Sequence, residues 1–361
     1  MKNYSFTGIL LLLVMMLAGC TNDNLSEITG EAAALKNDPA SLKVEASGLA
    51  GPLFDLETTP NGNILVADAT RGITDLYGNV EVALPGATSV SSVGQGMMWV
   101  TTGPEGEGIN DERQRLYRVN KNRVEQVVNL FEFESTNNPA GASVDSNPFS
   151  VKALNGNEAL VADSGANVLL RIDKKGNIEV LAIFPSEEVS TDNIKSLGGC
   201  PESGAAFCNL PPTLVAQPVP TSIAIGPDGY YYVGELKGFP APTGESNIWR
   251  ISPDAMGAEC GSSGDCVKLF EGGFTSIIDM AFGDDGKLYV AEMDANSWFA
   301  VEAGLGAGGR IKVCDPQTLT CEVVAEGIPI LTSIVFDKEG NLWATRNALV
   351  PGGAEVVKIP L

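Results

Sequence analysis

VPTSIAIGPDGYYYVGE, residues 219–235, opens with Ser222 and an apolar run, turns at Pro227-Asp228-Gly229, and climbs an aromatic strand that stops at Glu235. Apolar run, Gly-containing turn and second apolar run describe a hairpin. The same step of thirteen positions recurs without gaps. Its first members are Asp55, Ser89, Ser150, Ser222, Asp279 and Ser333; its second members are Asp68, Thr102, Asp163, Glu235, Glu292 and Arg346. The intervening texts are related, as in DLETTPNGNILVAD, SVKALNGNEALVAD, DMAFGDDGKLYVAE and SIVFDKEGNLWATR, with SVSSVGQGMMWVTT the weakest. After most hairpins comes a third strand such as NVLLRID, NIWRIS or RIKVC, then a fourth such as IEVLAIF, CVKLF or CEVVA. Four strands per unit predict an all-β fold, a six-bladed β-propeller. The sixth unit runs out at VVKIPL without a fourth strand, and LKVEASGL, residues 42–49, is expected to supply it and close the ring.

The 361 residues, 44% of them hydrophobic, can bury a substantial core. Residues 1–19 read as a secretory signal, because the apolar run is short for a spanning helix and small residues precede the cleavage point. Leu17-Ala18-Gly19-Cys20 matches the bacterial lipobox, which implies a lipid on Cys20 and a membrane partner through that anchor. Thr21 stands where an inner-membrane retention signal would place Asp, which favours the outer membrane. Residues 20–41 are polar and read as a tether, leaving 42–361 for the propeller. Six further cysteines fall into close pairs, Cys200 with Cys208, Cys260 with Cys266 and Cys314 with Cys321, as expected of disulfides in an exported chain.

There is no histidine, so Ser-His-Asp and Cys-His nucleophile systems and His-ligated zinc are excluded. A formal net charge of −22 argues against nucleic acid, which needs a basic footprint. Small molecules and proteins remain as partners.

DSNPFSVKALNGNEALVADSGANVLLRIDKKGNIEVLAIFP, VPTSIAIGPDGYYYVGELKGFPAPTGESNIWRI and GFTSIIDMAFGDDGKLYVAE resemble the ScyD/ScyE family of exported propellers. The likeness covers most of residues 43–361 and implies fold and export more than any reaction. More distantly the chain resembles NHL-repeat propellers and gluconolactonase-like enzymes, whose metal ligands sit in triplets opening inner strands. Here those triplets read Pro148-Phe149-Ser150 and Pro220-Thr221-Ser222, so Phe149 and Thr221 occupy two expected ligand positions.

In a propeller, inner strands begin and second strands end at one face. Asp55, Asp68, Asp163, Glu235, Asp279 and Glu292 are therefore expected near one channel mouth, with Arg346 the one opposing member. Two carboxylates about 6 Å apart at an effective dielectric near 20 repel by roughly 3 kcal/mol, so such a group needs partners. Three readings apply. Each acid caps its own turn; or Asp163, Glu235, Asp279 and Glu292 hold Ca²⁺; or one carboxyl is kept protonated as a general acid. Long loops open at the same face, carrying Trp298, Phe299 and Phe239 as candidate ligand contacts. The expectation is a lipid-anchored, extracytoplasmic ligand- or protein-binding module, with a metal-dependent hydrolase or lactonase as the alternative. No catalytic residue is assigned.

Overall fold

The structure, a computed structural model, describes residues 42–103, 113–121 and 123–361. Cys20, the signal segment and the tether lie outside them. Six four-stranded antiparallel units follow one another, their inner strands being Leu53–Thr58, Ala87–Gly94, Pro148–Asn155, Pro220–Ile225, Ile277–Phe282 and Ile334–Phe336. Each inner strand packs on the next, and the sixth packs on the first, which makes a ring. These units are blades one to six.

The hairpin texts explain the blades. Gly229 takes φ +79° in open space, the conformation its turn requires, and Asp228 Oδ1 accepts the Tyr230 N–H beside it. Second strands such as Ile64–Asp68, Tyr231–Glu235 and Leu288–Glu292 are buried at every residue, because neighbouring blades cover both faces. That is why they read as apolar runs without alternation. At Gly234 a β-carbon would stand 2.6 Å from Ile277 Cγ2 of the next blade, so the close approach of blades four and five demands glycine. The core divides accordingly: each of the six junctions has its own apolar cluster, such as Trp99 and Leu130 with Val151 and Leu170 between blades two and three.

Val44–Leu49 pairs antiparallel with Ala354–Ile359, Val44 opposite Val357 and Leu49 opposite Ala354, and completes blade six as the sequence predicts. The three disulfides join the expected cysteines. Cys314 and Cys321 face each other in register across the outer hairpin of blade five. Blade three gains a fifth, parallel strand, Ala258–Glu259, that the repeat does not announce. The connection between blades three and four carries a hairpin, Glu187–Ser190 with Thr213–Ala216, and two short helical turns. No helix of the described residues is long and apolar enough to cross a membrane.

Candidate functional site

Four first members of the thirteen-residue step, Asp55, Ser89, Asp279 and Ser333, clasp one blade to the next from the inner wall. Asp55 Oδ2 of blade one accepts Ser89 Oγ–H at 2.6 Å and Val90 N–H at 3.0 Å from blade two. Ser89 Oγ accepts Val151 N–H of blade three, Asp279 Oδ2 accepts Ile334 N–H of blade six, and Ser333 Oγ accepts Leu56 N–H of blade one. Blade four interrupts the pattern. Met280 N–H turns to Asp279 Oδ1 of its own strand, and Ser222 Oγ, fully buried, has no partner among the described residues.

One residue earlier, the wall alternates. Thr88, Thr221 and Thr332 donate to the carbonyls of Pro148, Ile277 and Leu53 on the following blades, at 2.6, 2.7 and 2.7 Å. The intervening blades present Phe54, Phe149 and Ile278, which share one apolar cluster; the two phenylalanine rings stand 5.8 Å apart, edge to face. Residues from blades one, three and five can meet only over the axis. Phe149 and Thr221, at the positions where related propellers place metal ligands, are thus a plug and a clasp.

The second members do not gather. Asp163 accepts four protein donors, Ser146 Oγ at 2.7 Å and the N–H groups of Asn147, Gly165 and Ala166. Asp68 Oδ1 caps its own turn through Thr70 and Arg71 N–H. Glu292 is met by Arg310, Lys312 and Thr275 N–H, and Arg346 pairs with Glu355 at 2.6 Å. Glu235 lies in a buried knot: its carboxylate takes Lys237 Nζ at 2.8 Å, Asn247 Nδ2 at 2.8 Å and Trp249 Nε1 at 2.5 Å. Lys237, fully buried, also reaches Glu187 of the inserted hairpin at 2.5 Å, and Lys268 holds the other Glu187 oxygen. Burial raises the Glu235 carboxyl against the pull of Lys237; burial would raise Glu187 too, but bonds from Lys237 and Lys268 hold it low. Asp163, Glu235, Asp279 and Glu292 thus use their oxygens on separate protein partners. No group of three or more Asp, Glu or Cys among the described residues is placed to hold a metal.

Nor do the loop aromatics form an open platform. Trp298 is buried and donates its Nε1–H to Lys237 O at 2.9 Å. Phe207 of the insertion packs on Phe239 and Phe299, with centroids 6.4 and 5.5 Å away, so the insertion covers them.

Asp55 and Asp279 do come together, inside the channel. Ser333 Oγ lies 2.7 Å from Asp279 Oδ2 and 3.3 Å from Asp55 Oδ1, so its single proton serves one carboxyl at a time. Burial and the Asp279 charge push Asp55 up to about 7, against the pull of Lys152 and of its bonds from Ser89 and Val90. Burial likewise raises Asp279. Lys152, missed as a site residue, reaches from blade three to Glu57 of blade one at 3.2 Å. Its burial would lower its pKa, but Glu57, Asp55 and Asp279 together hold it above its ordinary value. These groups head a cavity of about 280 Å³ whose walls include Leu56, Met280, Ile334, Val335 and Phe336. Exposed Ile225 and half-buried Phe282 also line it, so it opens where the inner strands end, on the face of tight turns opposite the plug.

No protein-family model and no curated protein sequence matches the chain. Solved structures do resemble it. A protein of Thermus thermophilus assigned as an oxidoreductase (glucose dehydrogenase) is 16% identical, with a TM-score of 0.50 over 88% of this chain and 98% of that one. Virginiamycin B lyase of Staphylococcus aureus is 14% identical, with a TM-score of 0.47 over 86% of this chain and 80% of the lyase. The first of these supports the class, a six-bladed β-propeller, and at such identity it supports the fold alone.

Proposed function

We propose that the protein is an exported propeller of the ScyD/ScyE type, held outside the cytoplasm by a lipid on Cys20, which binds a small ligand in its axial cavity. The observation that carries this reading is the Asp55, Asp279 and Lys152 group at the head of an apolar-walled cavity of about 280 Å³. A few convergent polar groups with shifted pKa values in a concave apolar setting are the usual marks of a ligand site. The volume is near the lower end of the roughly 300–1,000 Å³ of small-molecule sites. The matching ligand is a small molecule with a hydroxyl- or amine-bearing end and an apolar body. Three disulfides accord with an oxidising compartment. With Phe54, Phe149 and Ile278 over the axis, the seat lies inside the channel rather than at the long-loop mouth.

A panel of alkyl and aryl glycosides, alkanols and phenols, and alkyl and aryl amines, titrated calorimetrically, tests this. Lys152→Met and Asp279→Asn should each weaken a hit by about tenfold or more, the scale of one charge-assisted hydrogen bond. Unchanged affinity in both variants would refute the seat. Hydrolysis is the second reading, favoured by one observation: a carboxyl near neutrality suits general acid work. A lactone and ester panel in which turnover disappears in Asp55→Asn would select it.

A further inference from the structure

A second acidic site lies outside the axial cavity, where blade two passes to blade three. The helix Leu130–Asn137 begins with Leu130 N–H bonded to Gln114 O at 2.8 Å, and its buried residues are Leu130 and Glu134. Four apart, these two share one helix face, and Asn138, four further on, caps the helix through its N–H on Glu134 O at 2.8 Å. Three buried oxygens in this stretch have no hydrogen-bond partner among the described residues: Gln114 Oε1, Glu134 Oε2 and Asn138 Oδ1. Gln114 and Glu134 are each only 1% exposed.

All three orphans are acceptors, and two aspartates add negative charge beside Glu134. Burial first, then the charges of Asp163 and Asp145, push Glu134 up to about 7. Asp145 rises to about 6 through burial and the Asp163 charge, against a bond from the Ser146 N–H. Asp163 has its oxygens filled by four donors and is not available as a ligand. Buried acceptors are rarely left unmet, and a buried carboxylate facing other acids costs stability unless something positive answers it. A proton on Glu134 would answer one oxygen and leave the two amide oxygens unmet. A hard cation with a shell of about six to eight oxygens answers all of them, and Ca²⁺ accepts such irregular mixtures of carboxylate, amide and backbone oxygen.

We propose that the buried face of the helix Leu130–Asn137, with Gln114 bonded at its first residue and the connection 138–147 at its end, binds one Ca²⁺ through the carboxylates of Glu134 and Asp145 and the side-chain carbonyls of Gln114 and Asn138. The ion fastens the longest helix of the described residues to the connection that leads into blade three. Such a site uses two carboxylates only, in keeping with the want of any three-acid cluster among the described residues.

The test uses the full mature chain stripped with chelator and then titrated with CaCl₂, by calorimetry for stoichiometry and by urea unfolding for stability. One Ca²⁺ per chain is expected, and at a hundred times its dissociation constant it should multiply the folding equilibrium constant about a hundredfold. Glu134→Gln and Asp145→Asn should each weaken Ca²⁺ binding by about tenfold or more, since ligand charge sets affinity. In chelator Glu134→Gln should be at least as stable as the wild type, because it removes an uncompensated buried acid. If Glu134→Gln fails to fold, Asp145→Asn and the wild-type stoichiometry decide the matter alone. Identical unfolding in Ca²⁺ and in chelator, or full Ca²⁺ binding retained by both variants, would overturn the proposal.

Discussion

Lys237→Met removes the one cation at the centre of the buried knot while keeping most of the side chain's volume. Lys237 is fully buried, 2.8 Å from Glu235 and 2.5 Å from Glu187, and Glu235 has no exposure of its own. After the substitution Glu187 keeps Lys268, but Glu235 keeps only the neutral donors Asn247 and Trp249. Breaking a buried pair by removing one partner costs about 3–5 kcal/mol, mostly the desolvation of the stranded charge. Glu235→Gln alone should cost about 1–3 kcal/mol, since Lys237 retains Glu187. In the double variant the stranded charge is gone, so its cost should fall short of the sum by about 2 kcal/mol. Equilibrium urea unfolding, with the slope checked for constancy, measures all three. A Lys237→Met cost below about 1 kcal/mol, or strict additivity, would refute the claim that Lys237 compensates the buried charge of Glu235.

Asp55 is raised from 3.8 to about 7, so the folded protein keeps a proton that the unfolded chain releases. Its contribution is full below about pH 4 and is lost as pH climbs through about 7; Asp55→Asn should flatten thermal stability across that window, and an unchanged slope would count against the assignment. Replacing Cys314 and Cys321 with Ala opens a loop of about eight residues and should cost about 2.5 kcal/mol by loop-closure entropy without unfolding the domain at 25 °C; a loss above about 5 kcal/mol would mean the hairpin depends on the bond. Cys20→Ser should release the mature chain from washed membranes, and a variant that stays membrane-bound would remove the anchor.

The fold was legible because its evidence is local. A hairpin of thirteen positions, a missing fourth strand and cysteines six to eight apart can all be recognised within short windows of sequence, and the structure has each of them. The site was legible only in part, because a carboxylate's partners come from elsewhere. Glu187, which meets Lys237 beside Glu235, lies some fifty residues upstream in an insertion. Asp279 and Asp55 meet through Ser333, 54 and 278 residues away. Glu235 and Glu292 looked unpaired because Lys237, Arg310 and Lys312 follow them in loops and third strands whose direction the repeat does not give. Lys152 did leave a signal: it is the only Lys or Arg in the six inner strands, where a cation must face either a blade junction or the axis.

A crystal structure with the tightest ligand of the panel tests the axial seat most directly. Ligand density is expected in the axial cavity, with a polar atom within hydrogen-bonding reach of Lys152 Nζ or the Asp279 carboxyl and an apolar part against Phe336 and Val335. Density seated instead among the long loops at Phe239 and Phe299, with the cavity unaltered, would contradict it.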